Sequence, residues 1–294
     1  MPGKSSTIFI VLLIIIIVQQ LIAQDKPSVV WHGVDEGEWT KLYLKNSLFP
    51  HSSRQGTHTY KELVFTQSVN YSDSSAVIFI PRGYKTVLGY NDVIVHFHGW
   101  NNEAINVMHD FDLLNQLYNS EKNAILVVAQ GPKNAMDSAG GKIEERNGLK
   151  KYIREILSKL KEENKVNTNR LGQLIISSHS GGYRPAILGL VNGGLRKNIK
   201  ELYLFDSFYS LTDMIVPWLK ADKDNRLRSI YTENLEPEHQ EFLKLISANG
   251  MIYNNVLAKE VKIILRPSKA CHDCIMDGNF EQLLKISLLN DIDR

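Results

Sequence analysis

Leu171-Gly-Gln-Leu-Ile-Ile-Ser-Ser-His-Ser-Gly-Gly-Tyr183 is the stretch on which the fold turns. Leu171 to Ser178 reads as a strand, and Tyr183 to Val191 reads as a helix closed by Gly193-Gly194. Between them lies Ser178-His179-Ser180-Gly181-Gly182. A tight strand-to-helix turn forces its central residue into a strained conformation, so the residues two positions away must be small. Ser178 and Gly182 meet that demand around Ser180. The turn would hold the Ser180 hydroxyl clear of the sheet at a helix amino end, where the partial positive charge favours a developing anion. Ser180 is therefore a candidate nucleophile. Its plainer reading is a helix cap.

Outward from this turn the chain alternates strands and helices. Asp92 to His98, Asn123 to Ala129, Lys200 to Phe205, Leu227 to Thr232 and Val261 to Leu265 are apolar runs of strand length. Helical spacing of apolar residues covers Ala104 to Tyr118, Glu144 to Lys165, Leu211 to Lys220, Glu236 to Ala248 and Phe280 to Leu289. Glu62 to Thr66 and Ser75 to Ile80 predict an antiparallel hairpin at the start of the domain. Continuous apolar strands between helices imply an α/β fold in three layers, a mainly parallel sheet covered on both faces. The expected organisation is a signal peptide over 1–23, an irregular aromatic-bearing lead-in over 24–59 and one domain over 60–294.

A nucleophilic serine needs a base, an orienting acid and an oxyanion site. His272, in the loop Arg266-Pro-Ser-Lys-Ala-Cys-His-Asp-Cys after the last strand, falls at the same sheet edge as Ser180 and is the expected base. His179 adjoins the nucleophile, but its side chain should point away and pack locally. Asp206 ends a strand in the apolar setting Leu204-Phe205-Asp206-Ser207-Phe208, where a carboxylate needs a hydrogen-bond partner. It gives the chain order Ser, Asp, His. Glu233, after the next strand, is the alternative acid and preserves that order; otherwise Asp206 merely caps a helix. His98-Gly99-Trp100 ends another strand, so the Trp100 amide, with that of Gly181, suits an oxyanion hole. His96 and His98 fall on one side of their strand, and such a pair can also bind zinc, with His109 or His272 as a third ligand.

These residues together resemble the α/β-hydrolase superfamily over about residues 60–290, in the manner of a secreted serine esterase. The resemblance implies an eight-stranded, mostly parallel sheet and acyl transfer to water. It departs from the usual pattern at three points. Ser178 stands where the elbow usually begins with glycine, and Trp100 replaces the glycine run of many lipases and esterases. In the commonest layout the acid follows the penultimate strand, which favours Glu233, while Asp206 matches a variant.

Composition narrows the setting. The chain has 294 residues, 43% hydrophobic and 22% charged, with net charge +2. That is too apolar and too neutral for a disordered chain or a nucleic-acid binder. Lys4, the apolar run Ile8 to Val18 and Ala23 before Gln24-Asp25-Lys26 fit a signal peptide cleaved after Ala23. The run is shorter than the roughly 20 residues of a membrane span. The expected home is secreted or periplasmic, with no stable span after cleavage.

Two cysteines cannot staple a fold, but Cys271 and Cys274 flank His272 and suit a short disulfide in an exported protein. Asn70-Tyr71-Ser72 fits the glycosylation pattern. Ser207 to Arg226, with Tyr209 and Trp218, reads as a lid, and the loop 131–141 places Gln130 and Asp137 near the site. The chemistry expected is a cofactor-free serine hydrolase acting on a small-molecule or polymer ester, or less readily an amide. A zinc hydrolase using His96 and His98, or a non-catalytic binding domain on the same fold, are the rivals.

Overall fold

Nine strands form the main sheet of a computed structural model that describes residues 29–293. The proposed signal peptide lies outside them. No helix among the described residues is long and apolar enough to cross a membrane. Everything below belongs to the compact unit that begins at Trp31.

The strands of the main sheet are β1 (Trp31–Val34), β2 (Gly37–Tyr43), β5 (Ser75–Pro81), β6 (Asn91–Phe97), β7 (Ile125–Ala129), β8 (Leu171–His179), β9 (Ile199–Phe205), β10 (Arg226–Tyr231) and β11 (Ile263–Pro267). Their order is β1-β2-β5-β7-β6-β8-β9-β10-β11. From β7 to β11 every neighbouring pair is parallel, while β1, β2 and β5 add antiparallel pairings at one side. β3 (Thr57–Tyr60) and β4 (Leu63–Thr66) make a separate ribbon. The sheet has nine strands rather than eight. β2 pairs along the whole of β5, so the lead-in expected to be irregular is an edge hairpin of the sheet. Its strands carry polar residues, as exposed edges do, and so show no apolar run. For the same reason the expected hairpin between Glu62–Thr66 and Ser75–Ile80 does not form; each run has a partner upstream.

The helices are α1 (Gln67–Asn70), α2 (Ala104–Asp110), α3 (Leu113–Ser120), α4 (Gly148–Glu162), α5 (Tyr183–Asn192), α6 (Val216–Ala221), α7 (Glu236–Ala248) and α8 (Asn279–Lys285). Alternate residues of a strand face opposite sides. Ile94, Leu126, Val128, Ile175 and Phe205 therefore bury one face against α2, α3 and α8, through residues such as Met108, Leu117 and Phe280. α4 and α5 pack on β8, and α5 also reaches β6 and β9. The helix expected over 104–118 is two helices, because Asp112 takes a left-handed conformation at φ 49°. α4 begins later than expected. Asn147 is left-handed at φ 62°, and Glu144 turns aside to pair with Arg184.

Burial bears on two further positions. Trp218 is in the core at 1% exposure, not on a lid, and its carbonyl accepts from Asn225. Asn70 is buried and committed: its Oδ1 accepts from the Thr66 amide at 2.8 Å, and its Nδ2 donates to the Lys133 carbonyl at 2.9 Å. A glycan on that nitrogen would cost both contacts. Asn70→Ala should lower stability by about 1–3 kcal/mol, because buried polar partners are left unmade. In a glycosylating host, intact mass should show no glycan on the wild type at this residue. A denaturation midpoint unchanged by the substitution, or a glycan at Asn70, contradicts the assignment.

Candidate active site

Parallel pairing brings the carboxyl ends of β6, β8, β9, β10 and β11 to one edge. Phe97 pairs with Ser178, His179 with Phe205, and Tyr231 with Pro267. Ser180, Asp206 and Thr232 are therefore each one step beyond a paired strand end. Both Ser180 (φ 50°) and Asp206 (φ 45°) are left-handed, a conformation that costs a non-glycine residue about 1–3 kcal/mol. Something must hold each of them there.

At Ser180 the restraints are steric and polar. A Cβ on Gly182 would run into the backbone carbonyl of Phe97, so only glycine lets α5 start this close to β6. A Cβ on Gly99 would sit 2.8 Å from the Ser180 Cβ, so the turn after β6 also lies directly against the elbow. The polar restraint was not anticipated from sequence. Ser207 Oγ donates to the Ser180 carbonyl at 2.8 Å, and Ser178 Oγ lies 2.8 Å from Ser207 Oγ. A carbonyl only accepts, so Ser207 donates to it and receives the Ser178 proton. The hydroxyl that replaces the usual glycine clamps the elbow.

Asp206 has no exposure, and its side chain collects three donors. The Thr232 amide reaches Oδ1 at 2.8 Å, while Thr232 Oγ1 (2.8 Å) and His272 Nδ1 (2.6 Å) reach Oδ2. Burial alone would raise its pKa, but the bonds from His272 and Thr232 hold it below the ordinary value. The reciprocal effect raises His272, chiefly through that bond to Asp206, against the desolvation that lowers it. Thr232 could have been suspected from its place at the end of β10, yet no motif marks it. Glu233, the alternative acid, is exposed beside it and, with His272, lines a cavity of about 560 Å³. Among the described residues, no hydrogen bond joins the Ser180 side chain to His272. In serine hydrolases such bonds often close only with substrate bound.

The turn after β6 is set by His98. Its Nδ1 donates to the Gly99 carbonyl at 2.7 Å, and its Nε2 accepts from the Gly131 amide at 2.9 Å. A trans peptide points its C=O and N–H in opposite directions. Fixing the Gly99 carbonyl on His98 therefore turns the Trp100 N–H away from it. Both ring nitrogens of His98 are thus occupied, and His96 is fully buried with Nδ1 against Ser177 Oγ at 3.0 Å. His96 Nε2 is buried with no partner among the described residues, but with both His98 nitrogens engaged the two rings do not form a zinc pair. Among the described residues, the candidate ligand group is instead His179, His272 and Asp273, whose donor atoms lie within 4.8 Å of one another. His109 packs edge-on to Trp39, away from that group.

The walls of the edge are aromatic. Trp100 lies against Gly181, donates from Nε1 to Ser138 Oγ at 2.8 Å, and meets the edge of Tyr60 at 5.1 Å. Tyr183 and Tyr209 pair at 5.7 Å. Asp137 takes a bidentate grip from Arg54 (2.5 and 2.9 Å), and Gln130 donates to His98 Nε2 at 3.2 Å. Both anchor the 131–141 loop. Cys271 and Cys274 are disulfide-bonded around His272, which sits in a short 3₁₀ turn.

No protein-family model and no curated protein sequence matches this chain. Solved structures do. An S-formylglutathione hydrolase from Agrobacterium tumefaciens aligns with TM-score 0.52 at 11% identity, over 88% of this chain and 98% of its own. The feruloyl esterase module from Clostridium thermocellum, solved as an S954A mutant with sinapinate, gives 0.51 at 11% identity over 91% and 100%. The chain has the α/β-hydrolase fold. Within that fold Thr232, just after β10, supplies two donors to a buried carboxylate that stands one strand earlier.

The pKa directions have a sign that can be checked without any substrate. Asp206 stabilises the charged imidazolium, so the His272 titration midpoint should lie above 6.5 by NMR. Asp206→Asn should move it down, toward the neutral form. A midpoint that does not respond separates the pair and rejects the contact.

Proposed function

We propose that this protein is a serine hydrolase of the esterase kind, with Ser180 as nucleophile, His272 as base and Asp206 as orienting acid. One observation carries the reading: a strained, left-handed Ser180 at the edge where His272 Nδ1 is bound to a buried carboxylate. Strain of this kind persists only where the surroundings over-determine it, and it concentrates at functional sites. The fold shared with the S-formylglutathione hydrolase and feruloyl esterase structures supports the reaction class.

In the forward step Ser180 Oγ bonds to the acyl carbon as its proton passes to His272 Nε2. The carbonyl π pair moves onto oxygen. The amides of Trp100 and Gly181 stabilise that oxyanion. Collapse expels the alcohol, which leaves with the proton held by His272. Water then attacks the acyl-enzyme with the same base, releasing the acid and restoring Ser180. Asp206 keeps Nδ1–H pointed at itself, so Nε2 is the nitrogen that exchanges protons, and it offsets the imidazolium charge. The aromatic walls Trp100–Tyr60 and Tyr183–Tyr209 favour a small ester with a flat or apolar group. The disulfide supports an oxidising compartment, as export of a mature chain from about Gln24 would provide.

Labelling by a fluorophosphonate probe is the direct test: the native protein should label and Ser180→Ala should not. Labelling that survives the substitution, or none in the native protein, would falsify the nucleophile assignment. Asp206→Asn should lower kcat by about 10⁴-fold through the wrong tautomer, whereas exposed Glu233→Gln should stay within a few-fold of wild type. A large loss at Glu233 alone reverses the choice of acid. Because the base works only when neutral and its pKa is raised, kcat/KM should climb with pH through a midpoint above 6.5. A flat profile from pH 5 to 8 excludes His272 from that role.

A further inference from the structure

His179 is the histidine that the proposed reaction leaves unused, although it adjoins both Ser180 and His272. Its side chain turns to the sheet face opposite Ser178, where only 2% of the residue remains exposed. Phe111 meets the ring edge-on at 5.0 Å, and the His272 ring lies 4.8 Å away at 37°. His179 Nε2 stands 3.0 Å from the backbone carbonyl oxygen of His272. A carbonyl can only accept, so this nitrogen must carry the proton. Its Nδ1 is buried with no partner among the described residues, which leaves no second claim on the tautomer. Burial, then the neighbouring His272, push the His179 pKa down to about 4, so the ring is a neutral donor wherever His272 is a working base.

Within its own span the loop that carries His272 is braced by the Cys271–Cys274 disulfide and by the Ala270 amide on Ser268 Oγ. The Ser268 amide donates to the Tyr231 carbonyl at 2.7 Å, and Cys274 closes one turn onto Cys271 at 3.0 Å. Asp206 holds the ring at Nδ1, but a ring hinged on two side-chain torsions and held at one atom can still swing with its backbone. The carbonyl of the same residue is the point where the backbone is pinned. That pin comes from the residue bonded covalently to Ser180.

We propose that His179 is a positioning residue: its Nε2–H docks the carbonyl of His272 and thereby registers the base loop on the nucleophile elbow. One peptide link and one hydrogen bond then connect Ser180 to His272 independently of the Asp206 contact. The proposal rests on the reading of Ser180 and His272 as nucleophile and base, but the docking itself does not need turnover to be seen.

The test replaces the donor while keeping the packing. His179→Phe and His179→Leu remove the donor and preserve an apolar fit against Phe111. His179→Gln restores a neutral N–H at a similar reach. With a p-nitrophenyl ester, and with folding confirmed by circular dichroism, the donor-less variants should lose kcat by about 10- to 100-fold at nearly unchanged KM. That is the scale expected when a reacting group is misplaced by a fraction of an ångström to 1 Å. His179→Gln should recover most of the loss. If all three variants match the wild type, or if Gln falls as far as Leu, docking by this donor is wrong. Alongside, ¹⁵N spectra should show His179 as the Nε2–H tautomer in the native protein, and a shifted His272 titration midpoint in whichever donor-less variant folds. An Nδ1–H tautomer overturns the proposal by itself. Absence of Ser180-dependent turnover would instead remove the triad reading, and the spectra would still decide the docking.

Discussion

A carboxylate with no access to water must be surrounded by donors, and Asp206 meets that constraint by binding two other loops. Its three contacts come from Thr232, after β10, and His272, after β11, while its own amide donates to the Ile230 carbonyl at 2.8 Å. Removing water makes each contact stronger and each vacancy costlier. The loops after β9, β10 and β11 are therefore not independent: moving any one would strand a buried charge. The left-handed φ of Asp206 is held in place by the same set of contacts.

The same desolvation that threatens Asp206 sorts the histidines. Burial lowers the pKa of His96, His98, His179 and His239, the last two to about 4. Each is thereby kept neutral, and a neutral imidazole has one donor and one acceptor nitrogen. His98 uses both to orient the Gly99 peptide, and His239 uses both between the Leu235 carbonyl and Ser229. Only His272, partly exposed and facing a carboxylate, is shifted the other way. The carboxylate contact thus sets His272 apart from the buried rings around it: it favours the charged imidazole, while burial disfavours it in the others.

Much of this was legible in the sequence because the elbow imposes local rules. Small residues around Ser180 and apolar runs on either side are enough to imply the parallel sheet and the turn. The apolar spacing of α4 was equally visible, as was the Gly193-Gly194 stop after α5. What escaped was decided by contacts distant in sequence. The β1–β2 hairpin lacks an apolar run because one side of an edge strand is wet. Asn70 looks like an acceptor for sugar until the Lys133 carbonyl claims its nitrogen. Trp218 looks like a lid residue because burial of a single aromatic in a short helix has no periodic signature. Chain order alone does not say which of Asp206 and Glu233 meets His272; the contacts of Thr232 and His272 are with Asp206.

The serine at position 178 shows how a departure from pattern can be absorbed. A glycine there would need nothing. A buried hydroxyl needs a partner, and its partner Ser207 is the residue after Asp206. Because the Ser180 carbonyl can only accept, the protons must run from Ser178 to Ser207 to that carbonyl, a direction with no alternative. The chain of hydroxyls thus couples the Asp206 loop to the Ser180 peptide group. Each such bond contributes about 0.5–1.5 kcal/mol net, the same order as the cost of holding Ser180 left-handed. Glycine would remove the clamp along with the need for it, so the elbow would then depend on sterics from Gly99 and Gly182 alone. The side chain that looks out of place is what ties Ser180 to the loop that carries Asp206.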